Sequence, residues 1–212
     1  MRQNPSFLLS DRDDIKQLIR ENPWATIVSS TSSGELVASH YPVVLDENEE
    51  DVVVFSHVGR PDDLLHELGE HEILMIVQGP HGYISPGWYD ADPAVPTWNF
   101  VTVHLSGTPE ILSPTENLRA LADLVDRFEE VLPDPRRMEG TPEDAAYAAR
   151  ISSGTVGFRL RPTRIVAKRK MSQNKPAAIV DRVLAELDGD GPYSSAPLAR
   201  EMRRARREPG DR

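Results

Sequence analysis

The chain has 212 residues, with 24 Lys and Arg against 34 Asp and Glu, a formal net charge of −10 at pH 7, and no cysteine. Such acidity argues against a surface built to grip nucleic-acid phosphates, and the missing cysteines exclude a disulfide framework, a thiolate metal site and a cysteine nucleophile. A hydrophobic share of 39% suffices for a real core at this length; no stretch approaches the roughly 18 apolar residues that span a bilayer, and the opening MRQNPSFLLSDRDD holds no long apolar segment of the secretory kind. The expectation is a cytoplasmic protein with no membrane partner.

Ser10 followed by Asp13 reads as a helix N-cap with an acid in the first turn. Ile15, Leu18 and Ile19 then share one helix face, which Asn22-Pro23 ends. The pattern changes to period two, giving expected strands over residues 24–30, 35–45 and 51–57, with Ser32-Ser33-Gly34 as the first turn. Pro61-Asp62-Asp63 opens a short helix whose Leu64, Leu65 and Leu68 are expected to face inward and which Gly69 stops. Residues 72–78 read as a strand buried on both faces. Residues 79–96, punctuated by Pro80, Gly82, Pro86, Gly87, Pro93 and Pro96, read as a long loop rich in aromatics: Tyr83, Trp88 and Tyr89.

A further strand is expected over 97–108. Ser113-Pro114-Thr115-Glu116 is a capping box before a helix carrying Leu118, Leu121, Ala122, Val125 and Phe128, and Thr141-Pro142 caps a shorter helix. Two closing strands, 155–161 and 164–171, precede a helix with Val180, Val183, Leu184 and Leu187 on one face; 189–197 reads as a loop. Residues 200–212 carry six Arg against three acids and read as a basic tail. The organisation expected is one domain over 1–188 and a loop with a basic tail over 189–212. Six to seven largely antiparallel strands with peripheral helices, and no βαβ alternation, give a mostly β (α+β) fold and favour a barrel over a Rossmann sheet.

Phosphate loops, His-Glu-x-x-His, Gly-x-Ser-x-Gly and helix-turn-helix patterns are all absent from the sequence. Three segments stand out. In Ser56-His57-Val58-Gly59-Arg60-Pro61 a strand end runs into a helix start, where Arg60 suits a phosphate and His57 a metal or haem iron. In Thr97-Trp98-Asn99-Phe100 aromatics alternate with an amide, which suits a flat ring with polar edges, although a buried sheet Trp98 is the plainer reading. In Lys168-Arg169-Lys170-Met171-Ser172-Gln173-Asn174 a cationic strand end meets hydroxyl and amide donors, suited to an anionic group or else to edge protection. His40, His81 and His104 lie in or beside strands and could line a pocket; His66 and His71 read as surface residues.

The run Gln78-Gly79-Pro80-His81-Gly82-Tyr83-Ile84-Ser85-Pro86-Gly87-Trp88-Tyr89, then Pro96-Thr97-Trp98-Asn99-Phe100 with Val103-His104, and finally Lys170-Met171-Ser172-Gln173-Asn174, resemble in that order the motifs of the PaiB family. That family resemblance implies an FMN-binding split barrel of the negative-transcriptional-regulator type, a homodimer with cofactor at the subunit interface. Family members often carry Asn-Pro where this chain has Asp62-Asp63. A related branch comprises haem-dependent piperazate synthases, which form an N–N bond.

The resemblance therefore implies FMN in a redox or regulatory role, with Thr97, Trp98 and Asn99 along the ring and Arg60, Lys170, Ser172, Gln173 and His57 as further cofactor-binding candidates. The alternatives are a haem b enzyme with His57 as axial iron ligand, and a ligand-sensing transcriptional regulator. Direct DNA binding has no support in charge or motif.

Overall fold

The computed structural model describes residues 1–2, 4–90 and 92–207. Among these, nine strands and six α-helices form. The strands lie in one sheet in the order β1-β9-β6-β5-β2-β3-β4-β8-β7, and every register resolved is antiparallel. Two more strands occur than the six to seven expected: β1 (Leu8–Leu9) and β7 (Glu110–Ile111). At two residues each they carry no period for sequence reading to detect.

The chain divides into two compact units. One comprises Ile15–Val77 and His104–Ile165 and is called the hairpin unit here. Its α1 (Arg12–Glu21, from Ile15 onward) buries Ile15, Leu18 and Ile19 as expected. The cap is Asp11 rather than Ser10: its Oδ1 accepts from Asp14 N at 3.0 Å. The hairpin of β2 (Trp24–Ser30) and β3 (Leu36–Leu45) turns at Gly34, whose φ of +83° is cheap only without a Cβ. Beyond β3 come β4 (Val54–Gly59) and β8 (Thr155–Leu160). Along β4 the residues alternate: Val54, Ser56 and Val58 are buried, whereas Phe55, His57 and Gly59 on the opposite face are half-buried.

Helix α3 (Pro114–Glu129) packs on β4 and β8 and starts with the expected capping box of Ser113 and Glu116. Thr141 likewise caps α4 (Pro142–Ile151) through Asp144 N. Helix α2 (Asp62–Leu65) departs from expectation. It lasts four residues, and Leu64 and Leu65 are exposed. His66 takes the inward place instead, where two serine hydroxyls satisfy its ring.

The other unit comprises Met1–Asp14, Gln78–Val103 and Val166–Arg212, called the terminal unit below. It contains β1, β9 (Arg164–Lys170, from Val166 onward) and the parts of β5 (Ile73–Ile84) and β6 (Thr97–Gly107) from Gln78 and up to Val103. Strand β5 thus runs six residues past the expected end, through Gly79, Pro80 and Gly82. Gly82 has a packing reason: a Cβ there would lie 2.9 Å from Leu198 Cδ2. Helix α5 (Ala177–Asp188) buries Val180, Val183, Leu184 and Leu187 as its pattern requires.

Residues 196–207, read from sequence as loop and tail, form α6 (Ala196–Arg207), which buries Leu198, Ala199, Met202 and Ala205. Its arginines drown the apolar stripe in a linear reading. The helix is pinned by buried Arg169, whose Nε lies 2.8 Å from Glu201 and whose Nη1 lies 3.6 Å from Asp14. The end of the basic tail, residues 208–212, lies outside the described residues.

Candidate functional site

The terminal unit gathers aromatic rings and ammonium groups. Trp98 on β6 is 55% exposed, so the expectation of an ordinary buried tryptophan fails. His81 stacks on it with ring centroids 6.4 Å apart, and Tyr83 meets it edge-on at 6.3 Å. Tyr193 joins from the loop after α5, 5.2 Å from Tyr83 and 6.5 Å from Trp88. The alternation of β5 places His81 and Tyr83 on one face, which is why they reach the same indole. Tyr193 carries no sequence signal beyond being a lone aromatic in a polar loop.

Lysines edge this cluster. Lys170 at the end of β9 donates to Thr97 Oγ1 and, at 3.0 Å, to the Trp98 carbonyl. Burial pushes its ammonium toward the neutral form, and Lys168 and Lys175 push the same way. The Lys168 ammonium lies 6.0 Å from the Phe7 ring centroid and 5.6 Å from that of Phe100; Lys175 lies 5.1 Å from that of Tyr89. Among the described residues none of the three has a carboxylate partner. In a chain of net charge −10, three uncompensated ammonium groups form a local anion-attracting field.

The remaining candidates of this unit are used internally. Asn99 is fully buried; its Oδ1 accepts from Ser172 Oγ at 3.1 Å and its Nδ2 donates to Met202 Sδ at 3.4 Å. Gln173 accepts from Met171 N at 2.7 Å and donates to the Arg169 carbonyl at 2.6 Å, closing the end of β9. Ser172 therefore does not continue the strand face of Lys168 and Lys170. Its φ is +59°, which turns the chain. These three residues hold β6, β9 and α6 in place under the exposed Trp98 and Lys170.

His57 and Arg60 belong to the hairpin unit and have different surroundings. Arg60 pairs with Asp63 at 2.7 Å. The neighbouring Asp62 accepts from Tyr41 Oη at 2.8 Å and Ser39 Oγ at 2.9 Å; these two bonds hold its carboxyl low. The Asp pair that replaces Asn-Pro thus gives the start of α2 negative charge, and the expected phosphate site around Arg60 finds no free cation there. His57 lies edge-on to Tyr41, ring centroids 5.8 Å apart, and burial lowers the proton affinity of its imidazole.

His66, read as a surface residue, is 1% exposed. Ser29 Oγ lies 2.7 Å from its Nδ1 and Ser39 Oγ 3.0 Å from its Nε2. Ser39 already donates to Asp62, so it accepts from Nε2–H, and Ser29 donates to Nδ1. Burial lowers the proton affinity of this imidazole, and Asp62 opposes only in part. His71 pairs with Glu67 at 2.7 Å, and His40 Nδ1 lies 3.1 Å from Thr26 Oγ1.

Residues 1–164 match the model of the family described as "Putative FMN-binding domain". The chain belongs to this FMN-binding family. It is 27% identical over 198 residues to the protease synthase and sporulation protein PAI 2 of Bacillus subtilis, covering 92% of this chain and 93% of that one. The PaiB resemblance read from the motifs is thereby borne out, as is FMN as the cofactor of the family.

Among solved structures, the flavocytochrome Anf3 of Azotobacter vinelandii superposes with a TM-score of 0.58 at 18% identity, over 80% of this chain and 72% of its own. An FAD and heme binding protein of Mycobacterium smegmatis gives 0.57, also at 18% identity, over 87% and 80%. This FMN-binding family member shares their fold. Among the described residues, no helix is long and apolar enough to cross a membrane.

Proposed function

We propose that this protein binds FMN on the terminal unit, with the ring against Trp98 and the rings beside it and the phosphate on Lys170, aided by Lys168 and Lys175. The observation that carries this reading is the three ammonium groups that have no carboxylate partner among the described residues, at the edge of an exposed aromatic cluster. An anionic phosphate relieves the mutual repulsion of the lysines, and an exposed indole offers a flat face to an isoalloxazine. Thr97 orients the Lys170 ammonium, while Asn99, Ser172 and Gln173 hold the strand ends from beneath. Bound FMN supplies one- and two-electron redox chemistry; the side chains supply place and charge.

The role is redox or regulatory, in a cytoplasmic homodimer. Direct DNA contact through α6 has little support, since Arg203 and Arg206 pair with Asp188 and Asp181 and Arg204 pairs with Glu201. Haem with His57 axial is the lesser reading. A neutral imidazole is the ligating form, but the chamber that His57 lines has room for about one water molecule. The test is the absorption spectrum of the purified, FMN-supplemented protein. Flavin bands that persist through gel filtration on a particle of dimer mass are expected. A Soret band, or a colourless monomer, overturns the reading.

A further inference from the structure

We infer that one buried water binds between Asn117 and His57 in the hairpin unit, making Asn117 of α3 the residue that orients this imidazole. The inference is independent of where FMN binds. It begins with the direction of the Asn117 amide. Its Nδ2 faces three acceptors: Thr155 Oγ1 at 3.1 Å, the Ser152 carbonyl at 3.3 Å and the Thr155 carbonyl at 3.4 Å. Those contacts settle which end is nitrogen, so Oδ1 points the other way.

There Oδ1 meets Gly157. A Cβ on Gly157 would lie 2.3 Å from it, so the carboxamide occupies the space that a side chain at 157 would fill. Gly157 is the register partner of His57 in the β4–β8 ladder. Side chains of such partners stand on the same face, with Cβ atoms about 4.5–5.5 Å apart. The Asn117 oxygen thus takes the cross-strand place beside the imidazole.

Both groups lack a partner. Asn117 is 5% exposed, and its Oδ1 is buried without a hydrogen bond. His57 forms no hydrogen bond through its ring among the described residues. An orphaned buried acceptor forfeits the hydrogen bonds it had in water, so native proteins seldom leave one dry. His57 and Asn117 line one chamber of about 10 Å³ with Val44, Phe55, Leu121 and Leu124. That is close to the space one water needs, and within a mostly apolar lining the Asn117 carboxamide oxygen and the His57 ring supply the two partners that hold a water.

The water donates to Asn117 Oδ1 and bonds one His57 nitrogen, fixing which nitrogen carries the proton. Around the chamber, β3 contributes the neutral Tyr41, α3 contributes Ala120, Leu121 and Leu124, and the Arg159 guanidinium of β8 lies over the Phe55 ring, 4.7 Å from its centroid. A cleft of about 380 Å³ shares Val44, Phe55 and Ala120 with the chamber and so lies beside it.

A crystal structure that shows ordered waters tests this directly. Density within about 3 Å of both Asn117 Oδ1 and a His57 nitrogen is expected. A dry chamber, or a direct His57–Asn117 hydrogen bond, overturns the inference. Ring ¹⁵N NMR of the full chain gives a second readout. His57 should show one tautomer in the wild type and a mixture in Gly157→Ala, where the new Cβ evicts the carboxamide. A His57 signal unchanged by Gly157→Ala overturns the orienting role. Should that variant fail to fold, the wild-type density decides.

Discussion

Two cationic segments, Arg60 in the hairpin unit and Lys170 in the terminal unit, both suit a phosphate in the sequence. In the folded protein they differ in what remains of their charge. Arg60 is matched by Asp63, with Asp62 one residue earlier. Lys170 has two further lysines for company and, among the described residues, no acid. A phosphate is attracted by charge that the fold leaves uncompensated, and exchanging one carboxylate for another anion gains little.

Reversing the charge of Lys170 should separate the two segments most. Lys170→Glu is expected to weaken FMN by about a hundredfold or more, since a charged hydrogen bond worth roughly 1.5–3 kcal/mol is replaced by repulsion. Flavin-fluorescence titration measures it, with riboflavin as control: lacking the phosphate, riboflavin should keep its affinity. Equal losses for both ligands would show that the substitution disturbs the ring site or the fold.

Lys168→Ala and Lys175→Ala should each cost less, up to about fivefold, because neither is held by Thr97 and the Trp98 carbonyl as Lys170 is, and their charges are screened by salt. Their effect should shrink as salt is raised; a salt-independent loss would point to lost packing on Phe100 or Tyr89 instead of lost field.

Acid should discriminate between the units in another way. His57 and His66 have their proton affinity lowered by burial in the hairpin unit. The unfolded chain therefore takes up protons first as pH falls through about 6.5, and stability declines from there down to the lowered folded values. Denaturant midpoints across that window should fall with pH, and His66→Gln should flatten the slope. For Lys170 the sign places the change at the alkaline end. Its folded ammonium is disfavoured, so it costs stability at neutral pH, and that cost disappears as pH rises through the ordinary lysine range.

Arg60→Ala should do least, changing FMN affinity by no more than about twofold, the scale of an exposed, already paired charge. A loss matching that of Lys170→Glu would end the distinction between the two segments.

Much of this was legible in the chain. Seven of nine strands, both proline-headed helix caps and the buried face of α5 follow from periodicity and cap chemistry, which act within a few residues. The rest depended on distant partners. Helix α6 was hidden because its stripe of Leu198, Ala199, Met202 and Ala205 is interleaved with arginines, and only Glu201, Arg169 and the bare Gly82 show that it is docked. Asn99 looked like a ring ligand because its neighbours are aromatic, yet strand alternation turns it inward to Ser172 and Met202. His66 looked like surface because the leucines around it were read as the helix's inward face; its two serine partners lie 27 and 37 positions away.

By itself the sequence determined the fold class, the family and the flavin it is named for, because order of motifs, hydrophobic period and capping residues are written in neighbouring positions. Only the tertiary structure decided which cations stay uncompensated, which amides are spent on the scaffold, and why position 157 must be glycine. Those outcomes depend on distances between residues far apart in the chain, and over a few ångströms a carboxylate, a hydroxyl or a missing Cβ changes what the same side chain can do.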